Sequence, residues 1–110
     1  MSRLFNDASS QYLNVATAAV TAAPCTLACW FYQDDADANC YLLAVGDGAG
    51  DNYDLFAIRA VGGVDDLIWA TALASSVGDQ AKSTATFAAN VWNHACGVFT
   101  SSTDRAAFLN

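Results

Sequence analysis

The chain has 110 residues, 55% hydrophobic and 14% charged, which argues against disorder and allows one domain with a real core. Net charge is −7, and the four basic residues (Arg3, Arg59, Lys82, Arg105) are scattered. Nothing in that pattern neutralises a phosphate backbone, which argues against nucleic-acid binding. All 11 acidic residues are aspartate and none is glutamate, so the acidity is expected in turns and cation-binding loops rather than in helices.

In chain order, "MSRLFNDASSQYL" carries one arginine and no apolar core, so no signal peptide is expected there, and no run reaches the ~20 apolar residues that span a bilayer. A short strand is expected at 12–15. The stretch "ATAAVTAA" has helical composition but no apolar stripe or cap, and reads as loop. Pro24 precedes the first strong strand signal, a position where proline does not break a ladder. Further strands are expected at 25–32, 41–45, 53–60, 66–72, 82–87, 91–99 and 105–109. The intervening segments, among them "QDDADAN", "GDGAGDN", "VGGVD", "SSVGDQ" and "SSTD", carry turn residues.

In "CTLACWFY", Leu27, Cys29 and Phe31 share one face and Ala28, Trp30 and Tyr32 the other. Both faces are largely apolar, which predicts an inner strand covered on both sides and hence an all-β antiparallel sandwich. The expected core contains Leu27, Cys29, Trp30, Phe31, Leu43, Trp92 and Val98.

Four cysteines (Cys25, Cys29, Cys40, Cys96) occur without a CxxC pair. Cys25 and Cys29 on one strand stand about 13 Å apart, too far to bond each other. The lone histidine lies two residues before Cys96, so zinc is disfavoured. The residues fit small buried thiols, with at most one bridge; Cys29–Cys96 remains open if their strands face each other. His94 and Cys96 are about 7 Å apart along one strand, a poor catalytic dyad.

The two Asp-rich loops, Asp34/Asp35/Asp37 and Asp47/Asp51/Asp54, supply hard oxygen ligands, and Asn52 adds a donor. Asp34, Asp37, Asp47 and Asp51 are the calcium candidates; solvated turns are the simpler reading of the same residues.

Several segments together resemble one family. "DASSQYLNVA" is similar to the opening of concanavalin A-like, laminin-G-type (LamG) domains, and "CTLACWFYQDD" to their "Phe-Thr-Ile-Ser-Ala-Trp-Val" strand. "YLLAVGDGAGDNYDLFAI" resembles the strand pair that follows. "NVWNHACGVFTSSTDRAAFLN" is similar to the family's "Asn-x-Trp-x-His-Val-Ala-Gly-x-Tyr" hairpin, which closes at "Val-Asn-Gly". The resemblance implies a jelly-roll sandwich, here one LamG-like domain over residues 1–110, incomplete because the family continues past the position of Asn110.

It also implies that Trp92 is a core residue and that His94 packs on the same hairpin, so Trp30, Trp92 and His94 are expected to be structural. The implied function is a non-catalytic recognition or adhesion module for glycans or another protein surface, with calcium at one rim in many members. Glycosidases on this fold use two glutamates, which this chain lacks. A structural virion protein, a phage decoration or fibre component with a lectin-like fold, is the alternative. An extracellular or virion-surface location follows from either, and a partner or a larger assembly is expected to cover open sheet edges.

Overall fold

The computed structural model describes residues 9, 13, 15, 17, 19–46, 54–63, 65–72, 80–101 and 103–110. Seven strands occupy them: β1 (Cys25–Tyr32), β2 (Cys40–Gly46), β3 (Asp54–Val61), β4 (Leu67–Ala72), β5 (Gln80–Thr86), β6 (Trp92–Phe99) and β7 (Arg105–Leu109). The expected strand at 12–15 falls partly outside the described residues; Leu13 and Val15, which are described, are exposed. Strands 25–32 and 105–109 match to the residue, and the others shift by one or two positions at their ends.

All pairings are antiparallel. The strands form a three-stranded sheet of order β1-β6-β7 and a four-stranded sheet of order β2-β3-β4-β5. The two sheets enclose Leu27, Phe31, Phe56, Ile58, Ala60, Ile68, Ala70, Phe87, Ala95, Phe99 and Leu109. Phe56 and Phe99 meet across the layers with ring centroids 4.9 Å apart, and Phe31 and Phe87 at 5.8 Å in an edge-on pair. Gly97 lies beneath this cluster: a Cβ there would stand 2.5 Å from Ile58 Cγ2, so only glycine lets β6 approach the opposite sheet this closely.

Buried polar side chains tie off the connections. Gln33 donates from Nε2 to the Asp35 and Ala38 carbonyls, and the Asn90 amide donates to the Gln33 carbonyl at 2.8 Å. Asn93 Nδ2 donates to the carbonyls of Ala88 (3.0 Å) and Val91 (3.1 Å), fixing the entry to β6. Ser83 Oγ accepts from the Ile68 amide at 3.0 Å and donates to the Ala85 carbonyl at 2.8 Å, where the β4–β5 ladder shifts register. Each bond pairs backbone groups that would otherwise be left unsatisfied.

Leu27 and Phe31 are buried as expected, but three other expected core residues are not. Trp30 is 66% exposed, Trp92 56% and Leu43 38%. The reason is the layer count. Among the described residues β1 is an edge strand of a three-stranded sheet, packed on the second sheet through one face, and strand alternation turns Trp30 outward with Ala28 and Tyr32. Trp92 begins β6 on the same outer face. Leu43 is displaced by an irregularity in the β2–β3 register between Tyr41 and Leu43, so Leu42 packs on the core instead. Cys29 is half-buried on the inner side, and Val98 is half-buried on the outer side.

All four cysteines are free thiols. Cys96 pairs with Ala28 rather than Cys29 and faces outward, while Cys29 packs on the core, so a Cys29–Cys96 bridge is ruled out by direction.

A candidate recognition face on the three-stranded sheet

The outward residues of β1, β6 and β7 form rungs set by register. Tyr32 lies opposite Trp92, and Trp30 opposite His94. Ala28, Cys96 and Phe108 make the third rung, and Thr26, Val98 and Ala106 the fourth. Tyr32 (51%) and Phe108 (55%) are as open to solvent as the two tryptophans. The rings organise one another. Trp30 and His94 have centroids 5.1 Å apart with planes tilted at 53°, and Tyr32 and Trp92 form an edge-on pair at 5.7 Å. No Asp, Glu, Lys or Arg occupies any of the four rungs.

Polar groups sit at the margins. Asn110 closes one side: its amide donates to the His94 carbonyl at 2.9 Å, and its Oδ1 accepts from the His94 amide at 2.8 Å. Its φ of +56° is a left-handed conformation that asparagine tolerates. At the other end, Tyr32 OH reaches Asn90 Oδ1 and Asn90 Nδ2 reaches the Asp34 carbonyl, both at a long 3.5 Å. Asn90, with φ of +61°, thus joins the aromatic face to the Asp34 loop.

That loop carries two of the four calcium candidates, Asp34 and Asp37. Asp34, Asp35 and Asp37 are exposed, and Asp35 Oδ1 accepts from the Asp37 amide at 2.9 Å, a local turn bond. The loop is held from below: a Cβ on Gly62 would run into the Ala36 carbonyl, and Asn39 Oδ1 accepts from the Gly62 amide at 3.1 Å. Among the described residues no three His, Cys, Asp or Glu side chains come together as a metal site. Asp47, Asp51 and Asn52 lie outside the described residues, as does the side chain of Asp54.

The opposite face of the molecule is built differently. Tyr41, Arg59, Trp69 and Lys82 form one continuous rung across the four-stranded sheet. Arg59 lies over the Tyr41 ring at 4.7 Å and Lys82 over the Trp69 ring at 4.4 Å. Lys82 also pairs with Asp65 at 3.0 Å. Each aromatic surface here is already capped by a cation. Arg59 Nε and Trp69 Nε1 are buried without an acceptor. The two faces therefore divide the exposed aromatics into a free set and a capped set, and the free set is the better candidate for a ligand.

Burial raises the thiol pKa of Cys25, Cys29 and Cys40, with Cys40 adding a smaller upward push on Cys29. For Cys40, a backbone hydrogen bond at Ala60 and the Arg59 charge oppose that rise without cancelling it. These are packing thiols with suppressed nucleophilicity.

Tyr32 and Phe108 were not among the expected site residues. The only signal in the sequence was the i, i+2 spacing of Trp30 and Tyr32; Phe108 joins them through pairing with Cys96, which no local pattern announces.

A family model described as the Concanavalin A-like lectin/glucanases superfamily, of the laminin G type, matches residues 7–110. Neither the curated proteins nor the solved structures yield a match.

Proposed function

Because the chain belongs to the laminin-G-type family of the Concanavalin A-like lectin/glucanases superfamily, a fold that in general serves carbohydrate or surface binding, we propose that it is a non-catalytic glycan-recognition module. Its contact surface is the outer face of β1, β6 and β7. One observation carries this reading: Trp30, Tyr32, Trp92 and Phe108 are all exposed on one uncharged sheet face. An open group of large aromatics on a protein of this size marks an interaction site, because leaving such area in water is unfavourable.

The superfamily includes glycosidases, but a glutamate acid–nucleophile pair is impossible in a chain without glutamate. No polysaccharide hydrolysis is expected. LamG domains are typically extracellular, and a glycan-binding role agrees with that location. Among the described residues, no helix is long and apolar enough to cross a membrane.

A second reading, a structural virion component, draws on a different observation. β1 pairs only with β6 among the described residues and carries no charged side chain, so its free edge suits assembly with another strand.

The test is a glycan array probed with the wild-type chain and with Trp30→Ala and Trp92→Ala. Binding that both substitutions weaken supports the first reading. Loss of all glycan binding, with concentration-dependent assembly by sedimentation, would support the second instead.

A further inference from the structure

We infer that the ligand of the aromatic face is an uncharged, extended polysaccharide chain, lying obliquely from Tyr32 and Trp92 past Trp30 and His94 to Phe108. This inference rests on the glycan-recognition reading above and narrows it to a substrate class and a binding mode.

Charge comes first. The chain carries −7 overall, yet the four rungs of this face hold no Asp, Glu, Lys or Arg, and His94 is their one titratable nitrogen base. An anionic glycan would approach a like-charged molecule and find no lysine or arginine on the face to compensate. A cationic partner would find no carboxylate within the rungs. Of the described Lys and Arg residues, Arg59 and Lys82 lie on the other sheet, stacked on Tyr41 and Trp69, and Arg105 starts β7 opposite the inward-facing Phe99, out of step with the outward Ala106 and Phe108. A neutral ligand is the complement of the face as built.

Shape comes second. A terminal sugar is usually held in a concave pocket walled by convergent polar groups. Here the aromatics stand on a sheet surface, on three successive rungs. Rungs recur about every 7 Å along a strand, and neighbouring strands lie about 4.8 Å apart. The path from Tyr32 on β1 to Phe108 on β7 is therefore roughly 16 Å, spanning two rung steps and two strand steps. That length exceeds one or two sugar rings and suits a chain of several. Pyranose rings carry an apolar C–H face that stacks on an aromatic surface, while their hydroxyls project sideways. Asn90 and the Tyr32 hydroxyl lie at one end of this path to meet them, and Asn110 lies beside His94.

Size comes third. The four exposed aromatics present roughly 450 Å² of accessible surface, under the ~800 Å² per partner that a stable protein–protein interface buries. The patch is too small for a stable protein partner on its own and adequate for an oligosaccharide.

The experiment is affinity electrophoresis of the full chain at 0.15 M NaCl through gels holding either neutral polysaccharides (hydroxyethylcellulose, β-1,3-glucan, galactomannan, arabinoxylan) or anionic ones (heparin, polygalacturonate). Calorimetry with oligomers of the best neutral polymer follows. Retardation by at least one neutral polymer and by neither anionic one is expected. Affinity should rise at least tenfold from disaccharide to tetrasaccharide and then level off. Trp30→Ala and Trp92→Ala should each weaken tetrasaccharide binding at least tenfold, and Phe108→Ala at least threefold, with melting temperatures within a few degrees of wild type.

Binding only to the anionic polymers, equal affinity for mono- and tetrasaccharide, or tetrasaccharide binding indifferent to all three substitutions would overturn this inference while leaving glycan recognition standing. Failure to bind any polymer in either set, together with a blank glycan array, would overturn both.

Discussion

Trp30 and His94 face each other across the β1–β6 pairing, ring centroids 5.1 Å apart, on the solvent side of the three-stranded sheet rather than inside the sandwich. The pairing fixes the indole at the centre of an exposed aromatic face, and it separates two quantities that a buried tryptophan would have merged: stability and binding.

Trp30→Ala should therefore cost about 1 kcal/mol of stability, the scale of an exposed aromatic pair. Phe99→Ala, which empties a fully buried position beside Phe56, should cost about 3–5 kcal/mol. Urea unfolding of both variants checks this directly. Equal losses would place Trp30 in the core after all.

Gly97→Ala should destabilise the fold by about 1–3 kcal/mol, because the added methyl meets Ile58 Cγ2 at 2.5 Å and the Phe99 ring at 3.1 Å, and both are fully buried. Its backbone is not left-handed, so the cost is packing and not strain. A Gly97→Ala melting temperature at or above wild type would mean that the two sheets are further apart than described.

Stability should fall in alkali. Burial holds the Cys29 and Cys40 thiols protonated in the folded state above their ordinary value of 9.0. The unfolded chain releases those protons first, so stability is fully present below pH 9.0 and declines as pH rises above it toward the raised folded-state values. Melting temperatures between pH 7 and pH 11 should show the decline, and a Cys29→Ala, Cys40→Ala double variant should flatten part of it. An unchanged slope in that variant would assign the alkaline loss to other groups.

Millimolar calcium should leave the melting temperature unchanged. The Asp34–Asp37 loop is already ordered by Gln33 and by the Asp35–Asp37 turn bond, and solvated turns are the simpler reading of both Asp-rich loops. A rise on adding Ca²⁺ that is abolished by Asp34→Ala, Asp37→Ala, Asp47→Ala or Asp51→Ala would instead establish those residues as ligands.

Much of this architecture was present in the local pattern. The alternation in "CTLACWFY" and the turn residues of "SSTD" place β1 and β7 without help from the rest of the chain, because strand period and turn chemistry are properties of a few adjacent residues. The same alternation correctly divided Leu27 and Phe31 from Trp30 and Tyr32. What it does not contain is which of the two apolar faces receives a second layer. That depends on how the sheets stack and on β1 lying at the edge of its sheet among the described residues, set by pairings between residues 60 to 74 positions apart. Hydrophobicity favours burial of either face equally, and only the tertiary arrangement covers one and leaves the other open. So the sequence determined the strands and the membership of each face, while the tertiary structure turned Trp30 and Trp92 from expected core residues into the exposed surface proposed to bind, with His94 half-buried beside Trp30.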